Sequence, residues 1–464
     1  MPRLLTFLIG LVFFYCSPGQ DVSVRLGEAL KKLETDPQLK HAIISLYVVD
    51  SKTGKQVFNK NAQIGLVPAS CQKVITSTSS FELLGADYRY KTEISYDGKI
   101  EEGVLKGNLH IVGGGDPTLG SRRWESTNEN QVLQRWVSEI KKAGIKKVEG
   151  IIFGDQKNWS TATVPDGWIW QDIGNYYGAG ASSINWRENQ YDITLKSGNR
   201  IGDVCEIVSI KPGSVKPALV SEVITAERGS GDNAFIYLPP GANFGYIRGT
   251  IPIGENAFVI SGSLPNPSLS LVYSFSELLN SSGIAVPKQE GWISKAPFFK
   301  LNPLYTNTSL PLDSINYWFL KKSINLYGEA LIKTIAWEKE GFGSTEKGVD
   351  IIKYFWSQRG IEKSALNIMD GSGLSPQNRV TTDALVKVMQ YARSKPWFYA
   401  FYRALPEING ITMKSGSING VRSYTGYVKS KNGNEYTFAI IINNFDGSAP
   451  DMVRKIWRVL DVLK

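Results

Sequence analysis

Three short serine-bearing clusters, two of them with a lysine, stand far apart in this chain, and their spacing constrains the fold more than composition does. Ser70-Cys71-Gln72-Lys73 comes first, Ser323-Ile324-Asn325 follows far downstream, and Lys414-Ser415-Gly416-Ser417 lies near the C-terminus, after Asp370-Gly371-Ser372-Gly373-Leu374. A fifth stretch, Trp168-Ile169-Trp170-Gln171-Asp172, sits in the long gap. A serine and its lysines can act together only if these clusters meet. Both ends of the chain must then build one domain, and the segment between the first and second clusters must leave it and return.

Each cluster alone is cheap. Lys52-Thr53-Gly54 and Lys196-Ser197-Gly198 imitate the last one, and Ser314 begins another S-x-N. Lys52-Thr53-Gly54 lies between two strand-like runs and reads as a turn. Ser314 follows Asp313, opens an apolar helical run and reads as a helix cap. Order and context separate the real elements from the decoys.

With 464 residues, 42% hydrophobic and 20% charged, the chain has material for about three domains and no low-complexity tract. Residues 1–20 read as an export signal: Arg3 is the positive end, Leu4 to Phe14 is an apolar run too short to span a membrane, and Ser17-Pro18-Gly19-Gln20 breaks it. Cys16 leaves a lipoprotein anchor as the alternative. The mature protein is expected to be exported, periplasmic or otherwise extracytoplasmic, with at most peripheral membrane contact. A net charge of +9 suits the anionic polymers of a cell envelope, or is simply a basic solvated surface. No basic run has interleaved aromatics, so nucleic acid is not expected as a partner. Cys71 and Cys205 read as two buried thiols rather than a disulfide. The two histidines, His41 and His110, lie in no metal-ligand spacing and are poorly placed for a histidine triad. No metal or cofactor is expected, and lysine becomes the candidate base.

The pattern along the chain predicts strands at 42–50 and 56–59, a helix from Ser70 to Leu84, and a strand over 88–96. Residues 94–296 are rich in short strands, glycine and turn pairs, with one helix from Glu129 to Ala143. They read as inserted, mostly β domains, one nested in the other. Helices are predicted at 313–322, 326–339, 347–359 and 382–394. A hairpin turns at Asn432-Gly433 between strands 424–430 and 435–443. The terminal helix, 450–464, is expected to pack Ile456, Trp457, Leu460 and Leu463 on the sheet rather than lie on a membrane. The expected architecture is α/β: an antiparallel sheet covered by helices, built from residues 21–93 and 297–464, with the insertion projecting from it.

Ser70 and Lys73, three apart on a helix, share one face. A buried or charge-crowded lysine can be neutral enough to serve as base for the serine, and Lys414 supplies the crowding charge. Ser323 can relay a proton and Asn325 can orient Lys73. The backbone N–H groups of Ser70 and Ser417 would form an oxyanion hole, and an extended peptide could add along the Ser417 strand.

At this point the chain resembles the low-molecular-mass class C penicillin-binding proteins, the D-alanyl-D-alanine carboxypeptidases and endopeptidases. The resemblance rests on Pro68-Ala69-Ser70 with Lys73, on Ser323-Ile324-Asn325-Leu326-Tyr327, on Asp370 to Ser375 with Asn378-Arg379, and on Lys414 to Ser417 with Gly420-Val421 and Gly426-Tyr427. It implies a β-lactamase/transpeptidase-like domain with two inserted domains. The implied reaction cleaves D-Ala-D-Ala ends or D-alanyl cross-links of peptidoglycan stem peptides through an acyl-Ser70, with β-lactams as covalent inhibitors. It implies Lys73 as base, Ser323 and Asn325 as the second element, Lys414 and Ser415 in carboxylate binding, and Gly416 in substrate binding. Asp172, Tyr177 and Asn419 are implied to line the pocket for the stem-peptide side chain. Cys71 departs from the family pattern and is expected to add thiol sensitivity, and Pro376 stands where some relatives have arginine. Two rivals stay open: a β-lactamase, for which no extra deacylating base is evident, and a non-catalytic wall-binding protein.

Overall fold

Ile43–Asp50 is apolar almost without a break because both faces of this strand are covered. It pairs antiparallel with Glu435–Asn443, from Ile43 opposite Asn443 to Asp50 opposite Tyr436, so the two ends of the chain meet at the centre of one sheet. The sheet has six antiparallel strands in the order Glu407–Ile408, Ile411–Ile418, Val421–Lys429, Glu435–Asn443, Ile43–Asp50, Gln56–Lys60. The structure, a computed structural model, describes residues 18–213, 217–287, 293–294 and 300–464.

Alternation along Glu435–Asn443 assigns the two faces. Phe438, Ile440 and Ile442 point into a core closed by the helices Pro18–Glu34 and Ala449–Leu460, which contribute Leu26, Leu30, Met452 and Ile456. Ala439 and Ile441 point the other way, into a core filled by the helices Lys73–Leu83, Leu312–Lys321, Asn325–Glu340, Thr345–Ser357 and Thr382–Arg393. The antiparallel sheet covered by helices is as expected. Ile456, Leu460 and Leu463 are buried against the sheet, not offered to a membrane.

The intervening chain builds its own layers. A five-stranded sheet, in the order Ile293–Ser294, Ile152–Asp155, Leu109–Val112, Lys91–Tyr96, Asn302–Thr308, is covered by Glu129–Lys142 and Pro267–Ser281. Two three-stranded sheets share a further core: Gln190–Lys196 between Glu206–Lys211 and Phe258–Ser263, and Phe244–Pro252 between Ala218–Ala226 and Asn233–Tyr237. The chain enters and leaves this region on adjacent paired strands, Lys91–Tyr96 and Asn302–Thr308. The expected limit at 94 therefore cuts a strand, and its partner begins beyond the limit at 296. We propose residues 91–308 as the insertion.

Two other expectations change. The insertion has a second long helix, Pro267–Ser281, whose Ser-rich sequence hides it; Asn266 caps it and Leu271, Phe275 and Leu279 bury it. Ser314 is not a cap, because the helix begins at Leu312, where the carbonyls of Tyr88 and Ala86 take the first N–H groups. The export signal and Cys16 lie largely outside the described residues, and the first described helix, Pro18–Glu34, overlaps the end of that signal. Lys52-Thr53-Gly54 is the expected turn, with Asp50 Oδ1 accepting from the N–H groups of Lys52 and Thr53. Cys71 and Cys205 are free and buried.

Candidate active site

Ser70 does not open the α-helix. It sits in a tight 3-10 turn, Ala69–Gln72, and the helix proper begins at Lys73. Ala69 has φ +44°, a left-handed conformation that costs a non-glycine residue on the order of 1 kcal/mol. The surroundings impose it: the Pro68 carbonyl accepts from the Ser423 hydroxyl at 2.5 Å and from the Cys71 N–H at 3.2 Å. The turn still sets Ser70 and Lys73 on one side.

Lys73 is fully buried, and its Nζ donates to Ser70 Oγ at 2.8 Å, Asn325 Oδ1 at 2.6 Å and the Ser372 carbonyl at 2.7 Å. Burial, and then the nearby Lys414 charge, hold its pKa well below the usual lysine range, against the opposing pull of Asp370 and Glu329. Asn325 begins the helix Asn325–Glu340 and donates its Nδ2 to the Tyr177 carbonyl at 2.7 Å, so it joins the lysine to the insertion. Ser323, just before it, is also left-handed at φ +57°.

Lys414 lies on Ile411–Ile418, opposite Thr425 of the neighbouring strand. It is buried, its Nζ donates to the Ser415 carbonyl at 2.8 Å, and burial lowers its pKa to about 8. Gly416 follows because nothing larger fits: a Cβ there would stand 2.5 Å from the Pro68 carbonyl oxygen and 2.9 Å from the Cys71 N. The strand thus rests directly on the serine turn. The Cys71 thiol donates to the Lys414 carbonyl at 3.2 Å, and burial pushes its pKa up to about 11. The expected thiol sensitivity is corrected accordingly, since a buried protonated thiol is a poor nucleophile.

The Asp370 motif holds the third wall. The Asp370 carboxylate accepts from the N–H groups of Gly373 and Ser375, from the amides of Gln72 and Asn378, and from Trp168 Nε1 at 2.9 Å. One buried carboxylate therefore ties the serine turn, the Ser372 loop and the insertion together. Glu329, which accepts from the Gly371 N–H, is raised to about 8 by burial and the Asp370 charge. Glu329 follows the Ser323 motif in the sequence, in the Glu329-Ala330-Leu331 run, but the sequence assigns it no role, because a glutamate inside an apolar helix carries no local signal of burial.

These elements open onto one cleft of about 970 Å³, large enough for a peptide. Ser70, Ser323, Asn325, Ser417, Asn419, Asp172 and Tyr177 all line it, with Arg123, Lys322 and Phe235, which the sequence did not single out. Asp172 and Tyr177 share a side-chain hydrogen bond, and burial raises the Asp172 pKa. Lys73 and Lys414 lie buried beneath the cleft, and Ser415 and Gly416 are not part of its lining.

A family model described as D-Ala-D-Ala carboxypeptidase 3 (S13) matches residues 26–411 and 408–461. A D-alanyl-D-alanine carboxypeptidase of Actinomadura sp. strain R39 is 27% identical over 460 residues, covering 92% of this chain and 82% of that one. A D-alanyl-D-alanine carboxypeptidase of Haemophilus influenzae is 23% identical over 405 residues, covering 83% of this chain and 82% of its own. The crystal structure of penicillin binding protein 4 from Haemophilus influenzae superposes with a TM-score of 0.76 at 20% identity, over 97% of this chain and 100% of that one, which shows a shared fold.

Proposed function

The chain belongs to the D-Ala-D-Ala carboxypeptidase 3 (S13) family, and we propose that it cleaves the D-alanyl ends and cross-links of peptidoglycan stem peptides at Ser70. It is a serine peptidase. The observation that carries the assignment of the site is the Lys73 Nζ, buried, depressed in pKa and 2.8 Å from Ser70 Oγ.

Neutral Lys73 takes the Ser70 proton as Oγ attacks the carbonyl of the scissile D-alanyl bond. The N–H groups of Ser70 and Ser417 hold the oxygen that becomes negative. The proton passes through Ser323 to the leaving nitrogen, the C–N bond breaks, and the peptide remains as an ester on Ser70. Water then attacks the ester, Lys73 takes its proton, and the proton returns to Ser70 Oγ as the acid leaves. Asn325 keeps the lysine aimed at the serine. Lys414, buried beneath the cleft, adds to the burial that lowers the Lys73 pKa, and the strand it stands on brings Ser417 to the cleft. Asn419, Asp172 and Tyr177 take the remainder of the stem peptide. A β-lactam would open on the same Oγ. Among the described residues no helix is long and apolar enough to cross a membrane, and we place the mature protein at its substrate, in the periplasm or cell envelope.

The test is intact mass after incubation with penicillin, for the wild type and Ser70→Ala. A lasting adduct on the wild type alone is expected. Fast turnover without an adduct would make the protein a β-lactamase. Neither adduct nor turnover would leave a wall-binding protein on an enzyme's fold.

A further inference from the structure

The outer face of one insertion sheet is aromatic where an exposed sheet face is ordinarily polar. On Ala218–Ala226, Phe244–Pro252 and Asn233–Tyr237, the inward residues Val223, Ala234, Ile236 and Ile247 fill the local core. The alternate residues Val220, Ile224 and Phe244 stand 43%, 42% and 54% exposed. Register sets Tyr237 opposite Tyr246 and Phe235 opposite Arg248, all on this outer face. The Arg248 guanidinium lies 5.3 Å over the Tyr237 ring and 5.0 Å over Tyr246, and it is fixed by Glu222 at 2.6 Å. Trp170, 48% exposed, leans on Tyr237 at 6.0 Å. The row is continuous with the Ser70 cleft: Phe235, next but one to Tyr237, lines it, as do Ile169 and Gln171 on either side of Trp170.

We propose that this face is a platform for the glycan chain that carries the stem peptide, a β-linked N-acetylhexosamine polymer. The proposal rests on reading the cleft as a peptidoglycan peptidase. A pyranose ring has a flat C–H face and a polar rim. Aromatic rings meet the face, while the tyrosine hydroxyls, Arg248 and Glu222 meet the rim. A peptide held in the cleft by its D-alanyl end is tethered to glycan at its other end, so the sugar chain must run close to the cleft mouth. A protein partner is a poorer fit, because interface centres are depleted of charge and this face has an ion pair at its middle.

The test titrates the full-length protein with a peptide-free β-1,4-linked N-acetylglucosamine hexamer by calorimetry. It also compares kcat/KM on glycan-borne and free stem peptides. Tyr246→Ala should weaken hexamer binding and lower the glycan-borne kcat/KM by roughly tenfold, with little effect on the free peptide. Tyr246→Phe, which keeps the ring but loses the rim hydroxyl, should recover most of both. Penicillin acylation, confined to the cleft, reports that the variant is folded. Equal hexamer affinity and equal glycan-borne rates in an acylated Tyr246→Ala protein would overturn the proposal, as would selective loss of a bound protein with sugar binding intact. If penicillin fails to acylate the wild type, the peptidase reading falls, and hexamer binding alone decides: its loss in Tyr246→Ala sustains the platform, and its absence from the wild type sinks it.

Discussion

A lysine is a base only when it is neutral, and this site lowers the Lys73 pKa by burying it and setting Lys414 beside it. The rate of penicillin acylation should therefore rise with pH as Lys73 loses its proton and then level off. Lys414→Met removes the like charge, raises the Lys73 pKa, and should move that rising limb to higher pH. An unmoved limb would mean that Lys414 acts only on substrate. Lys73→Met, which keeps the length but not the base, should slow acylation by about 10²–10⁴-fold. Stopped-flow acylation across pH checks both. Cys71, by contrast, should resist thiol reagents while the protein stays folded, because its sulfur is buried and protonated.

Among the elements, the contact between the Ile411–Ile418 strand and the serine turn decides whether the site exists. Gly416→Ala puts a methyl into the space of the Pro68 carbonyl, and overpacking of this kind costs about 1–3 kcal/mol. The strand or the turn must shift. We expect penicillin acylation to fall by roughly tenfold or more, with a lower melting temperature; acylation at the wild-type rate would show that the close approach is dispensable. Much of this was legible in the sequence. The motifs named Ser70, Lys73, Ser323, Asn325 and Lys414, and periodicity gave Ile43–Asp50, Thr382–Arg393 and the last hairpin, since period and caps are local signals. What was not legible depends on tertiary contact. The 3-10 turn at Ala69–Gln72 is imposed by Ser423 and the strand beneath it. The helix Phe398–Ala404 is too short and aromatic to stand out, and it takes its shape from the burial of Phe401 and Ala404. The role of Asp370 could be suspected from its motif, but its partners come from segments scattered over the chain.

At the scale of the whole molecule, a second buried carboxyl stands where the insertion meets the catalytic domain, away from the Glu329 site. Asp116, 3% exposed, follows the glycine turn after Leu109–Val112. Among the described residues its carboxylate accepts only from Thr118, through the N–H at 2.8 Å and the hydroxyl at 2.6 Å. Its charge bears on Tyr88 and Tyr90, and Tyr90 meets Thr334 of the helix Asn325–Glu340. Burial raises its pKa from 3.8 to about 6. The folded protein therefore holds this proton more tightly than the unfolded chain. The resulting stability is complete below pH 3.8 and is lost as pH rises through about 6. At pH 8 the buried charge then costs on the order of 3 kcal/mol. Asp116→Asn keeps an oxygen for both Thr118 donors and removes the charge. It should raise stability by up to that amount at pH 8 and by little at pH 4, as measured by denaturant unfolding at the two values. Glu329, raised to about 8, titrates higher, so its contribution to the pH slope survives in the variant and does not mask the difference. A gain equal at both pH values would place the effect in packing, and a loss at both would mean that the hydrogens of the introduced amide find no partner.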